Sequence, residues 1–113
     1  MAASLSYFEL PATDLSASQA FYEKAFGWQM TAYGPSYAAT AGQGTNVGLQ
    51  ADPAEAPAAP LAVIMVDNLE AALAQVMSAG GELTVPTFTF PGGRRFQVRD
   101  PGGNEIAVCQ TDP

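Results

Sequence analysis

The stretch LSYFELPATDLSASQAFYEKAFGW, residues 5–28, returns in recognisable form 54 positions later as LAVIMVDNLEAALAQVMSAGGE, residues 61–82. Leu15 aligns with Leu69, Ala17 with Ala71, Ala20 with Ala74, Tyr22 with Val76 and Gly27 with Gly81. A repeat of this length means that one structural unit is used twice, which restricts the fold more than any single residue does. Each copy reads as a short apolar strand, a polar break carrying a helix-capping residue, and a helix ending at Gly. In the first strand, from Leu5 to Leu10, Tyr7 and Glu9 point to one face and Phe8 and Leu10 to the other. Thr13 or Asp14 can cap the helix that follows. Leu15, Ser18, Tyr22, Ala25 and Phe26 fall along one side of it at helical spacing, with Phe21 widening that stripe toward the core.

After the first helix the sequence predicts three strands: Trp28 to Tyr33, Tyr37 to Ala41 and Thr45 to Gln50, separated by Gly34–Pro35 and by Gly42 to Gly44. ADPAEAPAAP, residues 51–60, is rich in Ala and Pro without periodicity and reads as a linker between the copies. The second copy opens with a strand from Leu61 to Val66. Leu69, Ala72, Leu73, Val76 and Met77 then mark a helix beginning at Asn68. Glu82 to Phe90, Arg94 to Arg99 and Glu105 to Gln110 supply three more strands, broken by PGG at 91–93 and DPGGN at 100–104. Pro86 belongs at an edge or a bulge, because it has no N–H for a ladder hydrogen bond. The result is an α+β chain of two βαβββ units, residues 4–50 and 61–110, within one domain spanning 1–113.

Length and charge exclude several classes of function. A chain of 113 residues suits one domain. With 4 Lys and Arg against 11 Asp and Glu, the formal net charge is -7. Nucleic acid is therefore not an expected partner, since phosphate binding rests on clustered positive charge. Cys109 is the only cysteine, so no intrachain disulfide can form. No secretion signal or membrane-length apolar run is visible, which points to a cytoplasmic protein with no membrane partner.

Two such units in about 110 residues, with FYEKAFGW closing the first helix and RDPGGNEIAV near the C-terminus, resemble the vicinal oxygen chelate superfamily of glyoxalases, bleomycin resistance proteins and extradiol dioxygenases. The resemblance covers nearly the whole chain. It implies a curved mixed sheet in which each unit forms half of a cup, helices on the outer face, and closure of the cup by another unit, often across a homodimer. It also implies a divalent metal held by His on the first strand of each unit and by Glu near the end of the last strand. Those positions here are Tyr7, Leu61 and Ala107, and the chain contains no His. Leu61 and Ala107 cannot donate to a metal. Glu9 and Glu105 share the relevant faces and leave a carboxylate site for a hard cation as the alternative.

Strand parity assigns the ligand-facing side. Tyr7 and Glu9 lie on it in the first strand, Leu61, Val63 and Met65 in the fifth, and Glu105, Ala107 and Cys109 in the last. Trp28, Tyr33 and Tyr37 add flat surface that stacks on a planar ligand or fills a dimer seam. Arg95, Gln97 and Arg99 share one face and offer an anion contact. The plainer alternatives are that Met65 and Val63 are core, that Arg99 pairs with Asp100 or Glu9, that Glu9 pairs with Arg95 or Arg99, and that Arg94 and Glu105 are solvated. Cys109 has no His to act as its base, so it reads as a small apolar residue.

Tyr7, Glu9, Trp28, Tyr37, Val63, Met65, Arg95 and Gln97 are thus the candidate ligand-binding residues, with no metal site and no cofactor assigned. The leading function is a metal-independent, small-molecule-binding homodimer of the drug-sequestering type. A divalent-metal lyase or dioxygenase with atypical carboxylate ligands, and a dimerisation module without ligand, remain as alternatives.

Overall fold

The computed structural model describes residues 2–113, with eight strands and two helices in an α+β arrangement. By contact density the chain divides into an N-terminal unit, residues 7–61, and a C-terminal unit, residues 62–113 together with residues 2–6.

In the N-terminal unit β1 (Ala3–Pro11), β2 (Met30–Ala32), β3 (Tyr37–Thr40) and β4 (Asn46–Gln50) form a sheet in the order β2-β3-β4-β1. The β1–β4 pair is parallel, with Tyr7 opposite Asn46 and Glu9 opposite Gly48. The β2–β3 and β3–β4 pairs are antiparallel hairpins. The turn between β3 and β4 is locked by Asn46, whose Oδ1 accepts from the Gly42 N–H at 2.9 Å and from the Thr40 hydroxyl at 3.1 Å.

Helix α1 (Leu15–Phe26) starts where the sequence predicts, with the Asp14 side chain accepting from the Ala17 N–H at 3.1 Å, and ends at Gly27 with φ 73°. It lies over β3 and β4. The core beneath it consists of Ala12, Met30, Ala38 and Leu49, with Leu10, Leu15 and Tyr22 packed against them.

Two expectations fail here. No residue of α1 is buried, and Phe21 and Phe26 are 58% and 60% exposed rather than turned to the core. Of α1 only Leu15 and Tyr22 pack against this core, and the aromatics at its end stack on one another. Phe26 lies 6.2 Å from Tyr22, and the Trp28 ring is parallel to Tyr22 at 5.2 Å. The second strand is shorter than expected, beginning at Met30 and not at Trp28.

The C-terminal unit repeats the plan with β5 (Leu61–Val66), α2 (Leu69–Ser78), β6 (Glu82–Phe90), β7 (Gly93–Arg99) and β8 (Glu105–Thr111), in the sheet order β5-β8-β7-β6. Asn68 caps α2 by accepting from the Ala71 N–H at 3.0 Å. Leu69 and Ala72 bury against Val66, Phe96, Val98 and Val108. The two helix ends are not equivalent. At the second, Gly80 takes the left-handed backbone at φ 103°, while Gly81 provides closeness, because a Cβ there would stand 2.6 Å from Val76 Cγ1 and 2.8 Å from Val98 Cγ2. Pro86 falls in a register shift of β6, the outer strand of its sheet, as its missing N–H requires. Residues 51–60 form no strand or helix and contain a turn, with the Ala56 N–H donating to the Asp52 carbonyl at 2.8 Å.

Candidate functional site

Each helix covers one face of its own sheet, and the pleat sends alternate side chains to the uncovered face. In the N-terminal unit the registers place Tyr7, Glu9, Tyr37, Ala39, Asn46, Gly48 and Gln50 together on that open face. Tyr7 on β1 and Tyr37 on β3 flank β4, and their hydroxyls meet in a hydrogen bond. Tyr33 adds a third phenol, 6.4 Å from Tyr37 between ring centroids. Glu9 is 4% exposed and Gln50 7% exposed, so this face carries a buried carboxylate and a buried amide beside the phenol pair. Burial first, then the hydrogen bond shared with Tyr37 and the nearby Glu9 and tyrosine groups, push the Tyr7 phenol far above the ordinary tyrosine value of 10.0. Tyr7 is therefore a neutral hydrogen-bonding group and neither a general base nor an anionic ligand at physiological pH.

The open face of the C-terminal unit carries Val63, Met65, Arg95, Gln97, Glu105, Ala107 and Cys109, placed together by the β5–β8 and β7–β8 registers. A chain of hydrogen bonds crosses it. Arg95 Nη2 donates to Gln97 Oε1 at 3.0 Å, and Gln97 Nε2 donates to Glu105 Oε2 at 3.2 Å. The Thr84 hydroxyl donates to the same Glu105 oxygen at 2.6 Å. Thr84 reaches it because the β6 register shifts between Leu83 and Val85, the re-aiming that a bulge produces. The Arg95 guanidinium carbon lies 5.3 Å above the centre of the Phe88 ring, at cation–π distance. Glu105 is thus a half-buried acceptor and not a solvated residue. Cys109 Sγ lies 3.6 Å from Met65 Sδ, and burial pushes its thiol up against a smaller opposing effect of Arg95, so it is poorly suited to be a nucleophile.

Other expectations need correction. Arg94 is not simply solvated: its Nη1 stands 2.5 Å from Glu70 Oε1 and ties β7 to the first turn of α2. Arg99 donates from Nη1 to the Gly103 carbonyl at 3.0 Å, while the Asp100 carboxylate is taken by the Asn104 backbone and side chain. Trp28 is not brought to the phenol pair. It lines a separate concavity of about 290 Å³ with Thr40, Gly42 and Asn46. Sequence reasoning also passed over Gly48, Gln50, Thr84 and Phe88. The parity of the Thr45–Gln50 run held the signal for Gly48 and Gln50, but only once β4 is known to pair with β1. Thr84 and Phe88 depend on the bulges and had no such signal.

The profile of the Glyoxalase/Bleomycin resistance protein/Dioxygenase superfamily matches residues 4–108. The chain belongs to this superfamily. No curated protein matches it. Among solved structures it is similar to methylmalonyl-CoA epimerase from Mycobacterium tuberculosis, at TM-score 0.77 and 17% identity over 96% of this chain and 88% of that one. A glyoxalase/bleomycin resistance protein/dioxygenase superfamily member from Vibrio splendidus 12B01 matches at TM-score 0.71 and 18% identity, over 98% of this chain and all (100%) of that one. The Mn(II)-bound glyoxalase from Novosphingobium aromaticivorans matches at TM-score 0.69 and 20% identity, over 94% of this chain and 38% of that one. At such identities the likeness is one of fold, which does not carry function with it.

The superfamily's usual metal positions do not fit a metal here. Leu61 and Ala107 are 1% and 0% exposed hydrocarbon, and the Tyr7 phenol is held neutral against Tyr37. Among the described residues no three His, Cys, Asp or Glu side chains are grouped closely enough to hold an ion.

Proposed function

We propose that this superfamily member is a small-molecule-binding protein that works without a metal ion, of the drug-sequestering type, and that it acts as a homodimer. The observation that carries the reading is the open face of the N-terminal unit, where a phenol pair and the buried Glu9 carboxylate stand on β1 and β3, the two strands that flank β4. Rigid strands hold recognition groups in fixed geometry better than loops do. The mixture of aromatic surface with a few placed polar groups is that of a ligand pocket. On the open face of the C-terminal unit, Arg95 and Gln97 are a second set of placed polar groups, Arg95 lying over Phe88 and donating to Gln97, which donates in turn to Glu105.

The test is a thermal-shift screen of the purified protein followed by Glu9→Gln, which keeps the volume and removes the charge. A hydrogen bond to a charged group contributes about 1.5–3 kcal/mol, so the substitution is expected to weaken compounds found in the screen by about tenfold or more. Equal affinity of wild type and Glu9→Gln for every such compound would remove Glu9 from the site. A screen in which no compound raises the melting temperature would instead favour the ligand-free dimerisation module.

A further inference from the structure

Gly48 occupies the middle of β4, opposite Glu9 on one side and Ala39 on the other, and it is buried. Glycine in a strand interior is unfavourable: it gives up more backbone freedom than any other residue and packs nothing in return. The backbone conformation does not ask for it, since Gly48 is absent from the glycines with positive φ. What asks for it is space. A Cβ at this position would collide with the hydroxyls of both Tyr7 and Tyr37 and would lie 2.8 Å from Tyr37 Cζ. The two phenols come from the strands on either side of β4, lean across it, and join their hydroxyls directly above Gly48.

We propose that Gly48 is the specificity-determining position of this open face: its missing side chain seats the Tyr7–Tyr37 pair low on the sheet and so sets the depth available to a planar, neutral, hydrogen-bonding ligand. Any larger residue at 48 lifts the hydroxyls and parts them, and the rings then fill the space that the ligand enters. The protonated state of Tyr7 fits a contact made through neutral hydrogen bonds. The proposal rests on the open face being the ligand site, as argued above.

Two measurements test it, and the first needs no ligand. In an alkaline titration followed by tyrosinate absorbance, wild-type protein should keep one tyrosine that resists ionisation until the chain unfolds. In Gly48→Ala that tyrosine should ionise near the ordinary value of 10.0. Tyr37→Phe, which leaves β4 untouched, removes the hydrogen bond but not the burial, so Tyr7 should ionise earlier than in wild type while staying above the ordinary value, and this variant reports on the pair should Gly48→Ala fail to fold. The second measurement uses benzamide, a planar neutral probe, in ligand-observed NMR. Wild type should bind it, and Gly48→Ala and Tyr37→Phe should each lose at least about tenfold in affinity. A wild-type titration curve in both variants would overturn the seat, and unchanged benzamide affinity in both would overturn the specificity role. If wild type binds neither benzamide nor any screened compound, the ligand-binding reading falls, and the titration still reports whether Gly48 seats the pair.

Discussion

Tyr7 stands where relatives of this fold usually place a metal-binding side chain, and its neighbours give it different chemistry. Half-buried beside Tyr37 and Glu9, it is far harder to ionise in the folded chain than in the unfolded one. The linkage has a definite sign. The group's contribution to stability is complete below the unfolded value of 10.0 and is lost as pH climbs toward the folded value, because the unfolded chain releases its proton first. Unfolding midpoints in urea should therefore fall as pH is raised above about 10. Tyr7→Phe should show a shallower fall over the same range. Parallel pH profiles for the two proteins would mean that Tyr7 carries no such linkage. Cys109 shows the same direction at this scale: its thiol is raised by burial and sits against Met65, where it takes part in packing.

The two helices descend from one sequence pattern but are held differently. Helix α2 buries Leu69 and Ala72 in a core with Phe96, whereas α1 buries nothing fully. Replacing the caps measures this difference. Asn68→Ala should cost about 1 kcal/mol of stability, the usual worth of an N-cap bond, because α2 cannot fray without uncovering that core. Asp14→Ala should cost less, since in the first turn of α1 Leu15 and Ser18 are only half-buried and Ser16 and Ala17 are exposed. Equal losses from the two substitutions, measured by denaturant unfolding, would contradict this ordering. Phe96 is 0% exposed, and Phe96→Ala should cost about 3–5 kcal/mol through the cavity it leaves.

For the whole molecule, exposed apolar surface and missing donors set the expectations. Phe21, Phe26, Tyr33 and Met77 are all more than two-fifths exposed, a display that association between copies would cover. The proposed homodimer should appear in sedimentation at tens of micromolar, roughly the range such interfaces support, and a pure monomer there would contradict it. Zinc, nickel or manganese at stoichiometric amounts should leave the melting temperature unchanged, since a native site of useful affinity stabilises by mass action. A rise of several degrees with one ion would revive a metal-dependent lyase or dioxygenase. No helix among the described residues is long and apolar enough to cross a membrane.

Local pattern by itself determined the element order, the start of each helix to within a residue, the place of Pro86 and the parity of Tyr7 with Glu9 and of Arg95 with Gln97, because period-two alternation, capping chemistry and the missing proline N–H act within a few residues. The family followed from the repeat and its two motifs, and the profile over residues 4–108 agrees. What only the tertiary structure decided are the relations between strands distant in sequence. The parallel register that sets Glu9 against Gly48 makes a seat for two phenols out of an unremarked glycine. The β6 bulges hand the Thr84 hydroxyl to Glu105. Phe21 and Phe26 face outward, although helical spacing alone turned them inward, because the core of this unit is met by Leu15 and Tyr22 of that helix instead. Register, bulges and the room beneath a helix arise from pairing and packing across the chain, and no single stretch of sequence contains them.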